Sequence, residues 1–189
     1  MFYRKFGKRF LDLFCAIVFL VLFWWVLAII ALIIVCTDGR PVLFTQERIG
    51  QFGRPFKIYK FRSMVKNAEA IGPKATAAGD RRITPIGSVL RKTSLDELPQ
   101  VFNLIKGDMS IVGFRPGVRE DYQPEDFESG MFDVKPGMTG YAQIHGRSSL
   151  TLEQKREWEM KYVQEVSFAT DAGIIMSTVF VVLGQRGSN

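Results

Sequence analysis

The 24 residues from Leu13 to Cys36 contain no charged side chain, and no other stretch restricts the chain as strongly. As a straight α-helix such a run is about 36 Å long, enough to cross the hydrocarbon of a bilayer. A cleaved secretion signal fits poorly, because the apolar core is too long and no small-residue cleavage site follows it. The chain is therefore expected to be membrane-associated. Arg4, Lys5, Lys8 and Arg9 precede the run, and Arg40, Arg48, Arg54, Lys57, Lys60 and Arg62 follow it. Basic flanks mark the cytoplasmic side, so two basic flanks either cancel or put both ends on one face. A single span and a re-entrant helix that bends and returns both remain open. Trp24 and Trp25 sit mid-run, where a spanning helix rarely places interfacial aromatics.

A chain of 189 residues suits one domain with an appendage. The division expected is residues 1–38, a basic N-terminus and membrane helix, and residues 39–189, a globular remainder acting with it as one functional unit. Net charge is +6, which suits an anionic partner: nucleic acid, lipid headgroups or a phosphorylated substrate. The two cysteines, Cys15 and Cys36, lie inside the apolar run, too far apart to bridge, and read as small hydrophobes in a reducing setting. His145 is the single histidine, which argues against zinc chemistry.

After a turn at 37–41, Val42 to Arg48 and Pro55 to Phe61 read as two strands joined by Gly50-Gln51-Phe52-Gly53, a β-hairpin. The second strand alternates apolar and basic residues, which suits base stacking or a sheet against anionic headgroups. Asn67 to Asp80 is rich in Ala and Gly, and a mobile loop or lid is expected there. Pro85-Ile86-Gly87 reads as a break before a short helix, and Val101 to Ile105 as a helix ending at Lys106-Gly107. Arg115, between Gly113 and Pro116, reads as an arginine in a rigid loop, suited to a phosphate clamp or to an ordinary strand-to-turn transition. Val134 to Arg147 repeats the device, with glycines that let backbone approach a ligand closely; His145 reads as a loop hydrogen-bonder. Thr151 to Val166 is expected to be a surface helix, and Phe168 to Leu183 a helix on the membrane or packed on the core.

Thr93-Ser94-Leu95-Asp96-Glu97-Leu98-Pro99-Gln100 puts two carboxylates together at what reads as a helix start. Ser94 and Glu97 have capping-box spacing, and acidic residues in a first turn also suit the helix dipole. A chemical reading stands beside the structural one. Adjacent helical residues diverge, so the two carboxylates would not share a proton and would divide the work. One would attack phosphorus and the other would hold Mg²⁺, which needs only one or two carboxylates plus substrate phosphates. Nearby arginines would neutralise the transferring phosphoryl group.

The run Phe56-Lys57-Ile58-Tyr59-Lys60-Phe61-Arg62-Ser63-Met64, the Arg91-to-Gln100 stretch, the turn Gly107-Asp108-Met109-Ser110 and the Pro136-to-Arg147 segment resemble the bacterial sugar transferases. These are monotopic phosphoglycosyl transferases, whose minimal catalytic form the chain resembles, and the likeness runs from about Lys5 to Leu183. The resemblance implies transfer of a sugar phosphate from a UDP-sugar to polyprenyl phosphate, with UMP released and Mg²⁺ required, at the start of glycoconjugate assembly. It implies that Asp96 is the nucleophile of a phosphosugar-enzyme intermediate and Glu97 the metal ligand. Arg91, Arg115 and Arg147 would surround the phosphates and nucleotide, and Lys60 and Arg62 fall in a basic motif grouped with them. It also implies a re-entrant membrane helix, with 39–189 on the cytoplasmic face of the bacterial inner membrane and no nucleic-acid partner. The chain departs from the family pattern in carrying Trp24-Trp25 where a Ser-Pro pair often bends the helix. Phe114 likewise stands before Arg115 in place of proline, and His145 in place of a common Asn.

The fold class expected is thus α+β and membrane-associated: one membrane helix, a small domain with a β-hairpin, short helices and amphipathic surface helices. The competing class is a catalytically silent membrane-anchored module that binds anionic lipid or nucleic acid. It would bind with strong salt dependence, indifferent to Asp96 and Glu97.

Overall fold

The computed structural model describes residues 2–68, 70–72, 79–146 and 149–183. Its helices are α1 (Lys8–Asp38), α2 (Pro85–Lys92), α3 (Val101–Lys106), α4 (Pro124–Glu128), α5 (Tyr141–His145), α6 (Leu152–Glu165) and α7 (Phe168–Leu183). Its strands are β1 (Leu43–Ile49), β2 (Pro55–Phe61), β3 (Ser110–Val112) and β4 (Gly137–Thr139). The fold is α+β, as expected, with one apolar helix long enough to cross a membrane among the described residues.

Both ends of α1 are fastened to the same globular body. At its start, the Arg9 guanidinium donates to the carbonyls of Leu104 and Ile105, closing the C-terminus of α3 with a cation. The buried Asp12 carboxylate accepts from the Ile111 N–H at 2.9 Å, and Lys8 pairs with Asp171 on α7. Ala16 then packs with Ile58, Val101, Leu104 and Met109. At the far end, Ile30 and Ile34 pack with Phe61 and Leu90. Between these anchors Val21, Leu22, Phe23, Trp24 and Trp25 are all exposed. Five consecutive exposed residues exceed one helical turn, so every side of the helix is open there. The Trp pair therefore stands at the unsupported centre of a helix whose two ends are held by one domain.

The hairpin forms as its sequence implies. β1 and β2 pair antiparallel from Leu43↔Phe61 to Ile49↔Pro55, within one residue of the boundaries read from the sequence. Asn103 on α3, fully buried, holds β2 in place. Its carbonyl accepts from the Tyr59 N–H at 3.0 Å, and its amide donates to the Lys57 carbonyl at 2.8 Å.

Three expectations are corrected. Pro85-Ile86-Gly87 does not precede the helix but opens it: Thr84 caps α2, its Oγ accepting from the Gly87 N–H at 3.0 Å, and Pro85 takes the first turn, where a missing N–H is harmless. Gly87 is needed there, since a Cβ would lie 2.0 Å from the Ser63 carbonyl oxygen. Gly113, Gly137 and Gly140 serve backbone against backbone, not backbone against a ligand. β3 and β4 pair in parallel, and a Cβ on Gly113 would lie 2.1 Å from the Lys135 carbonyl oxygen. The third correction is the capping box at Ser94, taken up below. Half of the expected lid over 67–80 falls on residues outside those described.

The main core gathers Val112, Phe114, Met131, Phe132, Tyr162 and Ile174, joining β3 to α6 and α7. Thr151 caps α6 in a true capping box with Gln154. On α7, Phe168, Met176, Val179 and Phe180 remain exposed, and the Tyr3 ring meets Phe168 edge-on at 6.0 Å.

Candidate active site

Leu95–Gln100 is a 3-10 turn leading directly into α3, not the first turn of a capped α-helix. Ser94 sits at φ 58°, ψ 16°, in the left-handed region. An N-cap needs extended backbone to aim its hydroxyl at the turn, so no side-chain cap bond forms there. The capping box is absent for a second reason: the Glu97 carboxylate is engaged elsewhere. In a 3-10 turn residues three apart eclipse one another, and the six residues form three ridges. Leu95 and Leu98 pack into the cluster of Ile34, Phe61 and Leu90. Glu97 and Gln100 line a small cleft. Asp96 and Pro99 form the ridge between, and Asp96 is only 9% exposed.

The cleft is lined by Arg48, Lys60, Glu97, Gln100 and Arg115 among others. Lys60 Nζ lies 2.7 Å and Arg115 Nη2 3.0 Å from the same oxygen, Glu97 Oε1. Burial acts to raise the Glu97 carboxyl, but the two cations outweigh it and hold the group down at about 2. Its neighbour behaves oppositely. Burial first, and the Glu97 charge second, push Asp96 from 3.8 up to about 6, against the pull of Lys60 and Arg91. Two adjacent carboxylates thus have separate proton affinities, which suits separate roles.

The expected site residues fall into three groups. Asp96, Glu97, Lys60 and Arg115 come together. Arg91 lies alongside: its Nε donates to Ser63 Oγ at 2.9 Å, and its charge acts on Asp96. Arg62 points away, buried beneath the end of α1, where its guanidinium donates to the carbonyls of Asp38, at 2.7 Å, and Gly39. It closes the membrane helix where the helix dipole favours a cation. Arg62 lies just past the end of β2 at Phe61, so strand alternation, which would have put it on the Lys60 face, no longer sets its direction. Arg147 lies outside the described residues. His145 is a hydrogen-bonder, as expected: Nδ1 lies 2.9 Å from the Tyr141 carbonyl, and the ring stacks on Trp158.

Arg48 is a cation that the sequence reading did not single out. In the hairpin register Arg48 opposes Phe56, Gln46 opposes Ile58, and Phe44 opposes Lys60. Arg48, Ile58 and Lys60 therefore share a face, and counting back from the 50–53 turn would have placed Arg48 beside Lys60. Burial lowers its pKa. Glu159 was missed as well. Buried on α6, it accepts from the Arg115 backbone N–H at 3.2 Å and so fixes the loop that carries that arginine.

Among the described residues no cluster of three or more His, Cys, Asp or Glu side chains exists to cage a metal. Both ion pairs of Glu97 fall on Oε1, which leaves Oε2 for a cation. One such carboxylate, with the phosphates of a substrate, is the donor set that Mg²⁺ commonly takes.

The family model for bacterial sugar transferase matches residues 3–185. The galactosyl transferase CpsE of Streptococcus agalactiae is 41% identical over 96% of this chain and 43% of its own length. The uncharacterized sugar transferase EpsL of Bacillus subtilis is 40% identical over 95% of this chain and 89% of its own. The UDP-glucose:undecaprenyl-phosphate glucose-1-phosphate transferase of Escherichia coli is 41% identical over 92% of this chain and 39% of its own. The chain thus spans less than half of some curated relatives and most of others. A membrane helix fastened to a small α+β body, a cation-lined cleft with an acidic pair, and a match along almost the whole length lead to one conclusion: the chain belongs to the bacterial sugar transferase family.

Proposed function

We propose that the chain moves a sugar 1-phosphate from a UDP-sugar to polyprenyl phosphate, releasing UMP, through a covalent intermediate on Asp96. The observation that carries this reading is the split of the acidic pair. Asp96 is buried and held at about 6, so it is ionised at neutral pH yet poorly solvated, the state of a ready nucleophile. Glu97 is held ionised at about 2 by cations that line the same cleft. The names of relatives, one for UDP-glucose and undecaprenyl phosphate and another for undecaprenyl-phosphate galactose, support the substrate class.

In the first step an Asp96 carboxylate oxygen attacks the sugar-linked phosphorus. The bond from that phosphorus to the bridging oxygen breaks, and UMP leaves with the electron pair, giving an acyl phosphate. Next a phosphate oxygen of the acceptor attacks the same phosphorus and displaces the Asp96 carboxylate, giving a polyprenyl diphosphate sugar. Lys60, Arg115 and Arg48 bind and orient the phosphates and neutralise charge as it develops. Glu97, with substrate phosphates, would hold Mg²⁺, which when bound neutralises charge on the diphosphate. Arg91 and, from its place in the sequence, Arg147 would complete the cationic surround.

The exposed centre of α1 and the apolar face of α7 support seating in a membrane, with both ends of α1 on one face and residues 39–189 at the cytoplasmic side of the bacterial inner membrane. Initiation of glycoconjugate assembly follows from the product. The test is UMP release from a panel of UDP-sugars, with and without polyprenyl phosphate and Mg²⁺. The native chain should release about one equivalent of UMP without acceptor and turn over with it. Near-normal turnover by Asp96→Asn would remove the nucleophile.

A further inference from the structure

A second, apolar cavity lies beside the cation-lined cleft. It holds about 360 Å³, within the usual size range of ligand pockets, and is walled by Ala28 and Ala31 of α1, Leu43 and Phe61 of the hairpin, and Pro99 and Phe102. Its floor is closed, with Phe61 3% exposed, while a wall such as Phe102 is 42% exposed, so the groove is open along one side. Ala28 is also exposed, and lies three residues beyond the free-standing centre of α1. The groove therefore begins where the membrane helix leaves the protein surface. It ends at the turn that carries Asp96.

The ridges of that turn decide what the groove is for. Glu97 and Gln100 face the polar cleft, while Pro99 faces the groove. Asp96 eclipses Pro99, one turn above it, because residues three apart superpose in a 3-10 turn. The nucleophile thus stands at the boundary between a cleft built for phosphates and a groove built for hydrocarbon. β2 divides in the same way: Lys60 lines the cleft, and its neighbour Phe61 lines the groove.

We propose that this groove seats the isoprenoid chain of the acceptor, while the acceptor's phosphate takes the Lys60, Arg115 and Arg48 positions after UMP has left. The inference rests on the acceptor named above. It adds a recognition site for the lipid's chain, and with it a basis for preferring long-chain acceptors. A ligand with an anionic head and an apolar tail matches both cavities in charge and polarity, and the membrane helix supplies the entrance.

The experiment compares the native chain with Ala28→Phe, which fills the groove from its exposed wall, and Phe102→Ser, which removes the opposite wall. Each is assayed in detergent with undecaprenyl phosphate and with geranyl phosphate, alongside UMP release from UDP-sugar without acceptor. The native chain should prefer undecaprenyl phosphate. Both variants should still release UMP and should lose about tenfold or more of that chain-length preference in kcat/KM. An unchanged preference in variants that release UMP normally would overturn the groove assignment, and would mean that ordinary membrane lipid occupies it. Absence of acceptor-independent UMP release from the native chain would instead overturn the covalent intermediate, leaving the preference ratio to judge the groove.

Discussion

Replacing Asp96 by Asn changes one buried oxygen to an amide and separates the two consequences of burial, on stability and on chemistry. In the folded chain the Asp96 carboxyl is raised from 3.8 to about 6, chiefly by burial and then by the Glu97 charge. A folded pKa above the unfolded one means that the native state holds this proton more tightly. Ionising the group therefore destabilises the fold, beginning above the unfolded value and complete above the folded one. At about 1.4 kcal/mol per pH unit the penalty at neutral pH approaches about 3 kcal/mol. Asn carries no charge and avoids it. Asp96→Asn should therefore be more stable than the native chain near pH 8, by up to several degrees in Tm, and the gain should vanish near pH 4. Glu97 has the opposite linkage, its stabilisation lost as pH falls from 4.5 towards about 2. It is present in both chains, so the difference between them isolates Asp96. Thermal unfolding in detergent across that range, followed by tryptophan fluorescence, gives the curve, and a UMP assay on the same samples should show turnover abolished. A variant no more stable than the native chain near pH 8, or one with the same difference at both ends of the range, would refute the buried-nucleophile reasoning.

Four further outcomes follow from the geometry. The rate of the native chain should rise with pH through about 6 as Asp96 ionises, and in Glu97→Gln the residual rate should have its acid limb at lower pH, because a like charge is gone; an unmoved limb would mean another group titrates. Lys60→Ala and Arg115→Ala should each lower kcat by about 10²–10³, the typical effect of removing one donor to developing charge, and a double variant no worse than either single would assign both cations to one task. Asn103→Ala orphans the Tyr59 N–H and the Lys57 carbonyl, at about 1–3 kcal/mol for each buried group, so denaturant midpoints should fall even with the cleft residues intact. Cysteines placed at Tyr3 and at Gln51 should label from the same membrane face, since both ends of α1 are fastened to one body; opposite faces would establish a span.

Local patterning made the long elements legible. An uncharged run forces α1, alternation and a glycine turn force the hairpin, and Thr151 with Gln154 caps α6 as a regular helix start. The acidic pair was readable as a candidate for chemistry because the surrounding motifs resemble those of a known family. What escaped depends on contacts distant in sequence. The pairing of β3 with β4 joins residues around 111 to residues around 138 through glycines whose role looked ligand-directed until the backbones were seen to touch. Arg62 reads as a partner of Lys60 by spacing, yet β2 ends at Phe61 and the chain beyond it carries Arg62 to the end of α1. Glu159 reads as one of several charges on a surface helix, and only the packing of α6 brings it under the Arg115 loop.

The winding of Leu95–Gln100 is the instructive miss, because its signal was local. Reading Ser94 and Glu97 as a capping box presumes an α-helix from Leu95 onward. In that helix Pro99 would stand four residues after Leu95, with no N–H to give to the Leu95 carbonyl and a ring that crowds it. The chain winds here as a 3-10 turn, in which Pro99 still gives no N–H, now to the Asp96 carbonyl, and the winding decides which side chains share a ridge. In an α-helix, residues three apart are offset by about 60°, so Asp96 would drift off the Pro99 ridge and Glu97 off the Gln100 ridge. In the 3-10 turn the three ridges stay in register, one into the core, one into the cation-lined cleft and one between cleft and groove. This winding keeps two adjacent carboxylates in two environments, Asp96 buried and Glu97 paired, and that difference separates their proton affinities.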